Sequence, residues 1–297
     1  MPKAARLAGF MLVALACLFV GQRIFETRLW EAAAAGRLLP AVAAGAVAYG
    51  MAGLLLCAAW HRILTWCTGT RLPARPHWGI YARTQIGKYL PGNVFHLLGR
   101  HVTTRGLGVG DKPMLWAAAA EAVGLILAAS LIAGIGAAWY AGGLAATPGA
   151  NLAPWLVATG VALLGGAYAG SRMRAARRWL GWTAGRPLAG LVPAGLLHVA
   201  FFLASGGIMW ALLTTAGAAV PVTAVATAVA AAWISGFLVP GAAAGVGVRE
   251  AVLIAALTPL AGEAPATLVA VAYRAVTVGG DATLFAIGLL PALRKAG

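Results

Sequence analysis

The sequence predicts an all-α polytopic membrane protein with about six transmembrane helices plus two re-entrant helical hairpins in an inverted repeat. Of its 297 residues, 61% are hydrophobic and 10% are charged, whereas a soluble domain carries about 25% charged residues. Six apolar runs reach or approach the roughly 20 residues that a helix needs to cross a bilayer. Two further apolar segments are interrupted by Pro-Gly, and the interruptions lie at matching places in the two halves of the chain.

The six continuous runs each predict one transmembrane helix. They cover residues 7–24, 38–60, 113–140, 152–170, 189–215 and 264–290. The first run follows Lys3 and Arg6 and therefore resembles a signal peptide. We expect an uncleaved helix instead, because the apolar run continues beyond the poor cleavage site at residues 14–17.

The basic residues lie mainly in connections between apolar runs. Seventeen of the 22 Lys and Arg residues fall in the N-terminal tail, in 61–112, in 171–187 and in the C-terminal tail, and three fall in the connections on the opposite side. Because basic connections stay inside, this bias predicts both termini in the cytoplasm and a bacterial-type cytoplasmic (inner) membrane. The same distribution argues against a nucleic-acid partner, since the net charge of +15 is not gathered on one soluble face.

The two interrupted segments, 77–105 and 222–260, predict re-entrant hairpins. Proline lacks a backbone donor and glycine loosens a helix, so each segment should break at its Pro-Gly. The flanking charges place the first hairpin on the cytoplasmic side and the second on the outer side. Broken backbone at membrane depth is tolerated only inside protein or beside a water-filled cavity, so we expect the hairpins to meet centrally. The predicted turn residues are Pro91, Gly92, Asn93, Pro240 and Gly241.

The interruptions also form an internal repeat. In both segments Pro-Gly is followed, after seven residues, by arginine, and Pro91 and Pro240 are 149 residues apart. This spacing divides a single transmembrane domain into halves of approximately 1–148 and 149–297. Because the first half crosses the membrane three times, the second half would begin on the opposite side of the membrane and have inverted topology. Inverted halves with broken helices are typical of a transporter whose substrate site lies at the interface between the repeats.

Cationic residues near the two breaks are candidates for binding a lipid phosphate. Arg100 and Arg249 lie on the returning arms, and Lys88 precedes the first break. A guanidinium offers a planar fork of donors to phosphate oxygens. The alternatives are that Arg249 pairs with an acidic neighbour, that Arg100 reaches the cytoplasmic surface, and that Lys88 is an interfacial anchor.

Five further polar residues lie within apolar sequence and are candidates for gating or coupling: His96, Glu121, Glu250, Arg274 and Asp281. Arg274 and Asp281 are seven residues apart and should share one helix face. Glu250 diverges from its neighbour Arg249 on a helix and is therefore available to meet Arg274. These groups form a structural ion network, or a gate that re-pairs during transport, or they include an acid that takes up a coupling proton. His96 is either a buried histidine with satisfied hydrogen bonds or a proton carrier.

No sequence motif indicates a cofactor, a metal or a covalent reaction. The chain has no phosphate-binding loop of the G-x-x-x-x-G-K-[ST] type, no H-E-x-x-H and no G-x-S-x-G. Cys17, Cys57 and Cys67 have neither metal-ligand spacing nor an even count. We therefore expect no cofactor, no metal site and no catalytic residue.

The hairpin sequences carry a resemblance to a known family. The first motif reads Gln85-Ile86-Gly87-Lys88-Tyr89-Leu90-Pro91-Gly92-Asn93-Val94-Phe95-His96-Leu97-Leu98-Gly99-Arg100, and the second consists of Pro240-Gly241, Gly245, Gly247, Arg249 and Glu250, with Arg274 in the last helix. At these positions the chain resembles the lysylphosphatidylglycerol synthase transmembrane region, which is the flippase domain of multiple peptide resistance factor and its stand-alone relatives. The resemblance implies lipid translocation between leaflets and functional positions at Arg100, Glu250 and Arg274.

The sequence as a whole therefore predicts a flippase or scramblase that moves an anionic phospholipid or a polyprenyl-linked lipid, not an enzyme. The 297 residues include no soluble aminoacyltransferase domain like that of the fused relatives, so the cargo is open. A homo-oligomer is compatible with the sequence. The rival interpretations are a membrane-embedded transferase acting on a lipid-linked substrate and a scaffold of a lipid or glycan synthase complex.

Overall fold

The computed structural model describes residues 36, 38–89, 95–140, 186–239 and 243–293. Within these ranges the protein is helical and contains no β-strand. The predicted runs 7–24 and 152–170 lie outside the described residues, as do the turn residues Pro91, Gly92, Asn93, Pro240 and Gly241.

The first group of helices begins with α1, Leu38–Thr68. It ends at Gly69, whose φ of +71° is the left-handed conformation that terminates helices. Helix α2, Ala74–Thr84, starts after Pro73 and continues as a 3-10 turn, Gln85–Tyr89. Helices α3, Phe95–Arg105, and α4, Asp111–Tyr140, follow.

The second group begins with a 3-10 turn, Leu188–Leu191, that leads directly into α5, Val192–Thr215. Helix α6, Val222–Leu238, is followed by a short 3-10 turn, Ala243–Gly245. Helices α7, Val248–Ala261, and α8, Glu263–Leu293, complete the described chain.

In the described part of the chain, four helical segments are long and apolar enough to cross a membrane. They are Leu38–Thr68, Asp111–Ala137, Leu188–Thr215 and Glu263–Leu290, with 27 to 31 residues each. The prediction of long apolar helices is confirmed for these four of the six runs. Large apolar side chains on their outer faces are exposed, among them Leu39, Leu131, Ile135 and Leu196, as expected where lipid is the solvent.

The helix boundaries recur at a constant separation in the sequence. Adding 149 to the limits of α1 gives 187–217, and the second group has a helical segment at 188–215. The same shift carries residues 74–89 to 223–238, which matches α6, and carries α4 to 260–289, which largely overlaps α8. The order of elements is therefore the same in both groups, and their lengths are similar.

The two groups exchange their last helices. Helix α8 packs on α1 and α2, while α4 packs on α5 and α6, and α1 and α5 contact each other. The last helix of each group therefore packs on two helices of the other group, in addition to its contacts within its own group.

Small residues allow α1 and α8 to pack closely. A Cβ at Gly280 would lie 2.6 Å from Tyr49 Cδ1, and a Cβ at Gly50 would lie 2.7 Å from Thr283 Cβ. In a membrane, where lipid tails are as apolar as leucine, such close backbone approach is a main source of helix association.

Gly280→Ala should lower the melting temperature of the detergent-purified protein, because its methyl group displaces Tyr49 and separates α1 from α8. Overpacking of this kind costs about 1–3 kcal/mol. Gly207→Ala is the matched control, since a Cβ there meets nothing within 4 Å and alanine favours a helix by about 1 kcal/mol over glycine. Equal melting temperatures for the two variants would contradict the close α1–α8 contact.

Candidate functional site

The two interrupted segments meet at their breaks. The 3-10 turn Gln85–Tyr89 contacts the 3-10 turn Ala243–Gly245. Each segment also folds back tightly on itself: a Cβ at Gly87 would lie 2.9 Å from the backbone nitrogen of His96, and a Cβ at Gly236 would lie 3.2 Å from the Cα of Gly245. These two glycine contacts are themselves related by the separation of 149 residues.

The backbone that follows the second break is strained and held by two charged side chains. Ala244 has a φ of +49°, and Gly247 has a φ of +80°; the left-handed region costs alanine about 1–2 kcal/mol. Glu250 accepts a hydrogen bond from the Gly247 N–H at 2.6 Å, and Arg274 Nη1 donates to the Ala244 carbonyl at 3.1 Å. Arg274 Nε also lies 3.6 Å from Glu250 Oε1, which confirms the prediction that Glu250 meets Arg274.

The first break is tied to helix α8 by Asp281. Lys88 Nζ lies 2.7 Å from Asp281 Oδ2, and the Tyr89 hydroxyl donates to the same oxygen at 2.5 Å. The Arg274 guanidinium is 5.8 Å from the centre of the Tyr89 ring. Arg274 and Asp281 therefore face the same break, as their spacing of seven residues predicts, and Lys88 is paired rather than free at a surface.

A cavity of about 30 Å³ lies beside these groups, with Arg249 in its wall. Such a volume has room for about two water molecules. Aromatic rings, charged groups and small residues share the lining, which includes Tyr49, Phe202, Ser205, Trp233, Arg249, Glu250, Ala270, Tyr273, Arg274 and Thr277.

Among the described cations beside the two breaks, Arg249 is the one that has no carboxylate partner. No Asp or Glu oxygen of the described residues lies within 4 Å of it, and its buried Nε has no hydrogen-bond acceptor there. Its guanidinium stands 5.8 Å from the centre of the Trp233 ring. A Cβ at Gly236 would lie 2.6 Å from Arg249 Cγ, so the absence of a side chain at Gly236 makes room for the arginine.

The charges around the meeting point of the two breaks do not balance. Lys88, Arg249 and Arg274 are close enough to repel one another, and among the described residues only Glu250 and Asp281 oppose them. The group therefore carries an excess of one positive charge. Buried Nε of Arg249 and Nη2 of Arg274 are donors without partners in the described part of the chain, and arginine donors suit the oxygens of a phosphate or carboxylate. The arrangement is chemically able to bind an oxyanion.

Arg100 occupies a separate site. It is 2% exposed, its Nη1 lies 2.5 Å from Glu121 Oε2, and its Nη2 donates to Gln85 at 3.3 Å. The rings of Tyr81 and Trp60 lie 3.8 and 4.5 Å from its guanidinium carbon.

Arg100 and Arg249 do not form the single phosphate site that the sequence predicts. Glu121 already supplies the negative charge beside Arg100, and Arg100 does not line the cavity. The alternative in which Arg100 reaches the cytoplasmic surface is wrong.

His96 lies at the start of α3, where its backbone packs on Gly87. Its Nδ1 is buried and has no hydrogen-bond partner among the described residues. The histidine is therefore buried, as one of the two alternatives predicts, but its Nδ1 lacks the hydrogen bond that this alternative includes.

Sequence reasoning missed the aromatic part of the site. Tyr49, Trp233 and Tyr273 line the cavity, and Gln85 contacts Arg100. A signal for Tyr49 and Tyr273 was available, because large aromatic residues are few in the Ala- and Gly-rich runs that contain them. Their convergence depends on how α1 packs on α8, which no local pattern specifies.

No protein-family profile matches the chain, and no curated protein matches its sequence. Among residues 38–89, 95–140, 186–239 and 243–293, no group of three or more His, Cys, Asp and Glu side chains is placed to hold a metal ion.

Replacing Asp281 by Asn should destabilise the protein by about 3 kcal/mol, because it leaves Lys88 without a counter-charge in a largely buried position. Lys88→Met combined with Asp281→Asn should recover most of that loss, since no unpaired charge remains. Chemical unfolding of the single and double variants in detergent measures the coupling. Additive effects of the two substitutions on the free energy of unfolding would contradict an ion pair between these residues.

Proposed function

We propose that this protein is a lipid flippase or scramblase that translocates an anionic phospholipid or a polyprenyl-linked lipid across the cytoplasmic membrane. The observation that carries the proposal is the uncompensated Arg249, which lines a cavity where two interrupted segments meet. An ionisable group within membrane-spanning sequence is costly and marks a substrate pathway by default. A lipid phosphate would supply the missing negative charge.

The proposed architecture has six transmembrane helices and two re-entrant hairpins in inverted halves, approximately 1–148 and 149–297, with both termini in the cytoplasm. The recurrence of helix boundaries at a separation of 149 residues supports it. The exchange of α4 and α8 between the two groups supports it as well. In inverted-repeat transporters the substrate site lies near the bilayer midplane between the repeats, beside broken helices.

The motif resemblance to the lysylphosphatidylglycerol synthase transmembrane region points to the same activity. We therefore propose that the chain is a stand-alone member of that group of flippase domains. The resemblance includes Glu250 and Arg274, and these residues contact each other beside the cavity.

Translocation would require the two groups of helices to separate, because a cavity of about 30 Å³ is too small for a phospholipid headgroup. The bond between Lys88 and Asp281 joins the first break to α8, so it is a candidate for breaking and re-forming in each cycle. The headgroup would pass through the polar cavity while the acyl chains stay in lipid. Rocking of one half against the other would then alternate access.

Arg249→Ala should reduce the rate of translocation at least tenfold in liposomes that contain the purified protein. The reason is that loss of a charged partner from a buried pair costs about 2–5 kcal/mol. The measurement is the accessibility of fluorescent phosphatidylglycerol and a fluorescent polyprenyl phosphate to a membrane-impermeant quencher. Arg105→Ala is the matched control, because the side chain of Arg105 is 66% exposed.

Three outcomes would contradict the proposal. Wild-type liposomes with no faster exchange than protein-free liposomes would exclude translocation under these conditions. Equal rates above that background in Arg249→Ala and the wild type would remove Arg249 and its cavity from the pathway. A covalent lipid product in mass spectra of the incubated liposomes would favour a transferase.

A further inference from the structure

The cavity and the Arg100–Glu121 ion pair occupy equivalent positions in the two groups of helices. The separation of 149 residues relates Arg100 on α3 to Arg249 on α7, and it relates Glu121 on α4 to Ala270 on α8. Ala270 is 1% exposed and lines the cavity together with Arg249. Where the first group has a carboxylate beside its arginine, the second group therefore has a methyl group and empty space.

Side-chain contacts around the two places obey the same relation. Tyr49 on α1 packs on Tyr273 of α8, with ring centres 6.4 Å apart. The equivalent residues are His198 on α5 and Gly124 on α4, and a Cβ at Gly124 would lie 2.7 Å from His198 Nδ1. Both pairs connect one group of helices to the other, so the relation holds for contacts across the protein as well as for positions along the chain.

We infer that the anionic group of the ligand binds beside Arg249 in the place that the Glu121 carboxylate takes beside Arg100. Glu121 is then a built-in counter-ion that closes one of two equivalent sites, and Ala270 leaves the other site open for ligand. The site binds an oxyanion with a single negative charge, which neutralises the one excess positive charge of the group. This inference rests on the proposed function only in assigning that oxyanion to a lipid headgroup.

The test is to give the second group the carboxylate of the first. Ala270→Glu should raise the melting temperature of the detergent-purified protein, because the new carboxylate pairs with Arg249. Ala270→Gln has nearly the same shape without the charge and should not raise it. The double variant Ala270→Glu with Arg249→Met should lose this increase in melting temperature, which would show that the increase comes from the ion pair between the introduced carboxylate and Arg249.

Ligand binding is measured on the same proteins by thermal stabilisation in mixed micelles. Phosphatidylglycerol, phosphatidylcholine and inorganic phosphate are the three probes. The wild type should be stabilised by an anionic probe, and the apparent affinity should fall at least about tenfold in Arg249→Met and in Ala270→Glu. Stabilisation by phosphatidylglycerol assigns the oxyanion to a lipid, whereas stabilisation by inorganic phosphate alone assigns it to a free anion.

The inference is overturned if no anionic probe stabilises the wild type, or if Arg249→Met is stabilised as strongly as the wild type. If Ala270→Glu does not fold, the thermal stabilisation of the wild type and of Arg249→Met by the anionic probes is sufficient to test the inference. The binding experiment and the liposome experiment can fail separately. A protein that binds phosphatidylglycerol through Arg249 but moves no lipid in liposomes would support this site and contradict the proposed transport function.

Discussion

The cost of an isolated charge away from water is the constraint on which this structure depends. A charged side chain at the centre of a bilayer-spanning helix costs about 2.5–3.5 kcal/mol on insertion scales, so each cation needs an opposing group. Arg100 has Glu121, Lys88 has Asp281 and Arg274 has Glu250. Each pair joins two different helices or a helix to a broken segment, so neutralising the charges also links separate elements. Arg249 alone, among the described cations near the breaks, keeps an unmatched charge, and the cavity lies beside it.

The same charged residues satisfy the backbone that the second break leaves open. A helix interruption frees N–H and C=O groups, and these cannot find water in a packed interior. Glu250 accepts from the Gly247 N–H and Arg274 donates to the Ala244 carbonyl, so the strained left-handed residues there are held by the ion pair itself. A movement that draws Arg274 away from Glu250 would therefore also release the loop. Charge pairing and the shape of the broken segment are coupled through these two side chains.

The sequence predicts much of the fold and only part of the site, for physical reasons. Long apolar runs and Pro-Gly interruptions are local signals, and they locate the four long helices and the two broken segments. The contact between Arg274 and Glu250 is predictable, because helix periodicity separates Glu250 from Arg249. The pairing of Arg100 with Glu121 is not, since the two residues lie on different helices whose packing is decided by many weak contacts. Comparing the halves at a separation of 149 residues would have shown that Glu121 corresponds to Ala270, which is the signal that distinguishes the two arginines.

Two similar groups of helices with unequal charges have a physical consequence for the proposed carrier. In the proposed mechanism, repetition of the fold provides the two similar arrangements of helices between which the protein rocks. If both halves had a carboxylate at the position of Glu121, each arginine would be neutralised and no anion would be drawn in. If neither had one, two buried cations would remain, and the empty protein would be strongly destabilised. One carboxylate and one alanine give a single unmatched cation, and in the proposed site one bound anionic group would neutralise it.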